Sequence, residues 1–184
     1  MIRRQVDGKN YKVSLVEEVK MGIIANYKYL SDKNLKELKA FYSEENKTSG
    51  ETDNQNEDVE IDKMWDALHF IFTGVGSSES LKNNPFSEAV LGVSSIEGVE
   101  EFMSYTEKSR IKDIVFALDN FDIKKAMEKF SMKECQKANI YPDIWNCEDE
   151  IDKIKEELMD YFQKLKEFYK RILEVKGNVI VTIC

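Results

Sequence analysis

The chain has 184 residues, 42% hydrophobic and 11% aromatic, with 35 acids against 27 basic residues and a net charge of -8. A chain this long buries roughly 70% of its unfolded surface, so a single domain with a full core is expected. No window holds the ~18 uninterrupted apolar residues of a membrane span, the start MIRRQVDGKNYKVSLVEEVK lacks the apolar stretch and cleavage site of a secretory signal, and no basic patch interleaves with aromatics. Membrane insertion, secretion and direct nucleic-acid binding are therefore excluded from the expectation, and the cytoplasm is the expected compartment.

In chain order, residues 1–20 read as an N-terminal appendage, a hairpin turning at Asp7-Gly8 with Tyr11, Val13 and Leu15 alternating with polar partners. GIIANYKYL, 22–30, follows as a strand rich in aromatic and β-branched residues, and Ser31 or Asp32 caps a helix to about Tyr42. Residues 43–60 concentrate the charge. Seven acids there face Lys47 alone, giving -6 of the total -8, and so little apolar surface predicts a solvated acidic loop. Ile61 to Gly74, IDKMWDALHFIFTG, reads as a helix with Gly74 as its left-handed cap. SEAVLGV, 87–93, is short and apolar enough for a buried strand, and EFMSYT for another. Helices are expected from Thr106 to about Leu118 and from Asp122 to about Ala138, and an aromatic turn, NIYPDIWNCEDE, leads to a last helix ending near Lys176. Its apolar residues, from Ile151 through Leu158 and Leu165 to Val175, keep a 3-4 spacing, and Phe162, Tyr169 and Leu173 widen the stripe beyond a coiled-coil seam. Packing on the domain's own sheet is expected over a dimer seam, with the chain a monomer or weak dimer. The uncharged tail NVIVTIC predicts a strand inside the sheet. The whole is an α/β to α+β fold, a mixed central sheet flanked by helices in three layers.

Two clusters carry chemistry. On the helix at 61–74, Asp62, Asp66, His69 and Thr73 fall on one narrow stripe beside the apolar face of Trp65 and Leu68. His69 is the only histidine in the chain. Near carboxylates it suits a general acid or base, and with its ring against Trp65 and one nitrogen on a backbone carbonyl it suits a structural role. The second cluster is YPDIW, where Pro142 stiffens the loop that presents Tyr141, Asp143 and Trp145. Those rings suit either a binding surface or a plug under the last helix. The odd, scattered cysteines Cys135, Cys147 and Cys184 fit reduced thiols, and neither a metal site nor a cofactor motif is present.

Three stretches, MGIIANYKYLSDKNLKEL, IDKMWDALHFIFTG and YPDIWN ahead of the long helix and NVIV, together resemble the bacterial YfbM-like family. The resemblance covers 21–184, so 1–20 is an addition, and the acidic loop is longer than the family pattern. It implies a mixed sheet with helices on both sides and makes Asp62, Trp65, His69, Tyr141, Asp143 and Trp145 characteristic positions. It implies no activity.

Two functions follow. The favoured one is a bacterial or phage protein that binds another protein, as an inhibitor, immunity or counter-defence factor, with Tyr141, Trp145 and Trp65 as surface candidates. The alternative is a small-molecule hydrolase or isomerase using His69, oriented by Asp66 or Asp62, with Asp143 and Tyr141 across a pocket.

Overall fold

The computed structural model describes residues 22–43 and 58–184. The hairpin expected at 1–20 and most of the acidic loop lie outside the described residues. Alternation makes the first strand, β1 (Ala25–Leu30), in which Ala25 and Tyr27 are fully buried and Lys28 is exposed. Helix α1 (Asp32–Ser43) then starts on the Ser31 hydroxyl, which accepts the Asn34 N–H at 3.1 Å.

The end of the acidic run is a strand, not loop. In β2 (Asp58–Ile61), Asp58 and Glu60 point to solvent while Ile61 is buried, the period-2 pattern of an edge strand carried by a charged segment. Edge acids also discourage pairing with a second chain. Helix α2 (Trp65–Thr73) begins later than expected, after a turn, so Asp62 is not on it.

Residues 85–91 correct a second expectation. The apolar run read as a strand is helix α3 (Pro85–Leu91), because Asn84 caps it by accepting the Phe86 and Ser87 N–H groups and Pro85 occupies its first turn. Strands β3 (Ser94–Ser95) and β4 (Phe102–Thr106) follow, then α4 (Lys108–Asn120). The helix expected over 122–138 is two helices, α5 (Ile123–Lys129) and α6 (Met132–Lys137). The chain turns extended at Phe130 and Ser131, and Ser131 accepts the Glu134 N–H to start α6. A single 3-10 turn, Glu148–Glu150, precedes α7 (Ile151–Glu174), and β5 (Asn178–Ile183) ends the chain.

The sheet order is β2-β1-β5-β4-β3 and every pairing is antiparallel, an α+β arrangement. The last strand takes the centre, between β1 and β4, as its lack of charge predicts. Tyr27, Val181 and Ser104 lie opposite one another across three strands and face the main helical layer, where Phe168 of α7 meets the Tyr27 ring at 6.3 Å. Helix α1 reaches the other face, with the Lys39 ammonium 4.5 Å from the Tyr105 ring centre. Helix α7 buries Ile154, Leu158, Phe162, Leu165, Phe168, Tyr169 and Ile172 within the domain, while Leu173 and Val175 stay exposed.

The C-terminal end of α3 lies in the core, so its carbonyls need donors. Tyr169 Oη donates to Ala89 O and Tyr27 Oη to Val90 O, both at 3.0 Å, and Ser104 Oγ donates to Leu91 O at 2.6 Å. Burial pushes both phenols well above their ordinary range, which keeps these donors protonated. Gly92 then leaves the helix at φ 71 and ψ -179, a conformation open essentially to glycine, and a Cβ there would stand 2.2 Å from Ser104 Oγ. Gly92→Ala is expected to lower stability by about 2–3 kcal/mol, read as a drop in urea midpoint with unchanged slope. A midpoint within error of wild type would show that neither the strain nor the collision is real.

Candidate functional site

Helix α2 places the sequence candidates. Gly74 ends it at φ 80, with its N–H on Phe70 O at 2.8 Å, and the chain folds back so that Val75 O lies 3.0 Å from His69 Nδ1. A carbonyl only accepts, so Nδ1 carries the proton. Nε2 therefore accepts, and its donor is the Ser87 hydroxyl at 2.8 Å. The Ser87 oxygen in turn accepts the Leu81 N–H at 3.0 Å. Burial holds the His69 imidazole below its ordinary range, against smaller upward pulls from the Val75 bond and the Asp66 charge.

A hydroxyl 2.8 Å from an imidazole is the spacing of a hydrolytic nucleophile and its base. Here it is sealed: His69 is 0% exposed and Ser87 2%. With both ring nitrogens engaged inside the core, His69 has no face for a substrate, and its contacts are those of the structural alternative. Sequence reasoning missed Ser87 by reading its segment as a strand. The Asn84-Pro85 start was the available signal.

Asp66 does not orient His69. Its carboxylate, 5% exposed, accepts the Ser77 N–H at 2.7 Å and the Tyr141 N–H at 2.8 Å, tying α2 to two distant loops. Tyr141 and Trp65 form a clamp on the chain entering β1. Tyr141 Oη accepts the Ile23 N–H at 2.8 Å, Trp65 Nε1 donates to Ile23 O at 3.1 Å, and the two ring centres are 6.0 Å apart. Trp145 is 2% exposed and donates to Ile140 O at 2.6 Å. Of the binding-surface candidates, Trp65 and Trp145 are buried and Tyr141 is half-buried, and all three brace the frame. Asp143 is exposed and Asp62 half-buried, and neither joins His69. Among the described residues, no group of histidines, cysteines and acids could hold a metal ion. Burial pushes the Cys135 thiol up to about 12, an inert core residue.

The open surface lies elsewhere. One groove, of about 520 Å³, is lined by Phe86, Phe116, Ala117 and Phe121 with Arg110 and Asp113 at its rim. A second, of about 850 Å³, runs between the end of α2 and the α5–α6 pair over Phe70, Ile71, Phe121, Ala126 and Phe130. Phe121 and Asp122 line both, so the grooves share a wall. Phe116 is 72% exposed, the most exposed large apolar side chain among the described residues. On α4 the buried stripe is Ile111, Ile114, Val115 and Leu118, and Phe116 falls off it. That misplacement was legible in the sequence.

The model of a family described as Domain of unknown function (DUF1877) matches residues 21–182. Protein YfbM of Escherichia coli (strain K12) is 32% identical over 126 residues, 68% of this chain and 75% of that protein. The crystal structure of a protein of unknown function, YfbM from Escherichia coli, superposes with a TM-score of 0.72 at 25% identity, covering 88% of this chain and 99% of that one. Of the six positions characteristic of the resemblance, Trp65 and Tyr141 tie α2 and the 141–145 turn to the start of β1, His69 and Trp145 bond to nearby backbone at Val75 and Ile140, and Asp62 and Asp143 take no part in these bonds. This chain belongs to the DUF1877, YfbM-like family.

Proposed function

We propose that the protein acts by binding another protein, on the face formed by Phe116, Phe86 and Phe121. The observation that carries the reading is Phe116, a 72% exposed aromatic beside an apolar groove. Exposed rings over a groove are the usual energetic centres of protein interfaces. The rings beneath it are fixed in place: Phe121 meets Phe72, Phe86 and Phe162 at 5.0, 5.3 and 5.8 Å. Little side-chain freedom is then lost on association. The partner sits with this chain in the cytoplasm, a reading supported by three free cysteines, Cys135, Cys147 and Cys184. The role is of the inhibitor, immunity or counter-defence kind, in which occupying a partner's surface is itself the activity.

The test is copurification of the tagged chain from its host at low and moderate salt, beside a Phe116→Asp variant. Being exposed, Phe116 contributes little to folding, so the variant is expected to keep the wild-type melting temperature. It is expected to lose the stoichiometric partner, with about 30-fold weaker binding. Retention of the same partner by the variant, or a chain that copurifies with nothing, overturns the reading.

A further inference from the structure

The larger groove has a net positive rim on an acidic chain. Its floor is Phe70, Ile71, Phe121, Ala126 and Phe130, and around it stand the exposed lysines Lys125, Lys129 and Lys137 with the exposed acids Asp122 and Glu134. Within 121–138 there are five lysines and three acids, in a chain whose net charge is -8. None of the rim lysines has an ion-pair partner among the described residues. Lys166 and Lys170, by contrast, are both held by Asp119 at 3.0 and 2.7 Å. The floor is rigid as well, with Phe121 set among three rings and Phe130 against Trp145 at 6.2 Å.

We propose that this groove takes an acidic amphipathic helix of the partner protein, its apolar stripe on Phe70, Phe121 and Phe130 and its carboxylates on Lys125, Lys129 and Lys137. The inference rests on the protein-binding reading above and names the partner's chemistry. Charge complementarity favours an acidic occupant, because the rim sets three lysines without an ion-pair partner among the described residues against two acids, of which Asp122 already accepts the Lys125 N–H as the cap of α5. The walls select a helix. They are helical side chains and loop, with no strand edge exposed in the groove, so an extended segment would find no backbone partners for its own N–H and C=O groups. A helix brings those bonds with it and needs only side-chain pockets at i, i+3 or i+4, and i+7. The shared wall at Phe121 and Asp122 lets the same segment run on toward Phe116.

The test uses two synthetic helical peptides with one leucine stripe, the remaining positions carrying glutamate and alanine in one and lysine and alanine in the other. Each is titrated into the full chain and into the Lys125→Glu/Lys129→Glu/Lys137→Glu variant, with affinity and backbone amide shifts measured at low and high salt. All three lysines are exposed, so the variant is expected to fold as wild type does. The glutamate peptide is expected to bind wild type about tenfold more tightly than the lysine peptide, with shifts at 70–74 and 121–138, and the variant to reverse the order. Equal binding of both peptides in the groove overturns the acidic selection and leaves the protein-binding reading standing. No shift in the groove with either peptide overturns the inference, and the Phe116→Asp copurification then decides the broader reading by itself.

Discussion

Asp66→Ala is expected to destabilise the fold by about 3 kcal/mol, because it removes one carboxylate that holds two loops. The Ser77 and Tyr141 N–H groups both donate to Asp66, at 2.7 and 2.8 Å, and a hydrogen bond to a charged group contributes roughly 1.5–3 kcal/mol. Ser77 and Tyr141 are half-buried, so water replaces part of each bond, which places the sum at the lower end of the range. Asp66→Asn is expected to lose less. Its amide oxygen keeps one bond, while its NH2 group faces the other N–H, donor against donor. Equilibrium urea unfolding measures the loss, and amide exchange at Ser77 and Tyr141 should quicken more than exchange in β5. An Asp66→Ala variant within 1 kcal/mol of wild type would sink the account of Asp66 as the tie between these loops.

Acid is expected to weaken the fold well before the carboxylates titrate. His69 has an ordinary value near 6.5 in the unfolded chain, and burial holds it lower in the folded one. Between those two values the unfolded state binds one more proton than the folded state, so stability is full above about 6.5 and falls as pH drops. The slope approaches about 1.4 kcal/mol per pH unit and ends once the folded imidazole takes its proton. Asp66 is the charged group that faces the ring and pulls the other way, whereas Val75, Leu81 and Ser87 present neutral partners. Protonation would also turn Nε2 into a donor and deprive the Ser87 hydroxyl of its acceptor. Asp32 and Asp119 titrate in a separate window. Asp32 is lowered by bonds to Lys108 and Asn178, and Asp119 by Lys170 and Lys166, so their contributions are present above about 3.8 and lost below it. Urea unfolding at pH 7.5, 6.5 and 5.5, in wild type and in His69→Gln, reads the effect. The variant is expected to be less stable at pH 7.5 and flat across the series. A wild type equally stable at all three pH values would refute the assignment of this window to His69.

Much of the scaffold was legible because its signals are local. Tyr27 and Ala25 alternate with polar residues, the α7 stripe repeats at helical spacing, and the uncharged NVIVTI fills the sheet centre between two neighbours. Where two periods compete over a short run, the sequence misled. Residues 87–91 are apolar enough for a strand, and only the Asn84 cap and Pro85 ahead of them make a helix. The acids of 58–61 hid a strand, because edge strands carry charge on their open face. The break between α5 and α6 falls at Phe130 and Ser131, where Ser131 caps α6 and the Phe130 ring packs on Trp145 of another segment.

The candidate site divides the same way. That His69, Asp66, Trp65 and Tyr141 matter was readable from the chain, since a lone histidine and a clustered set of aromatics stand out by type and spacing. Their roles were set by residues far away in sequence. Asp66 spends its oxygens on backbone 11 and 75 residues off, and Tyr141 and Trp65 close on Ile23 from 118 and 42 residues away. The groove has no sequence signature at all, being made where Phe70 of α2, Phe121 of the linker and Lys129 and Lys137 of two short helices converge. Sequence alone determined the family, the mixed α and β class and the place of the last strand, because periodicity and charge act over a few residues. Tertiary structure decided which polar groups are occupied and which apolar ones are left open, because hydrogen-bond satisfaction and exposure depend on what other parts of the chain bring alongside.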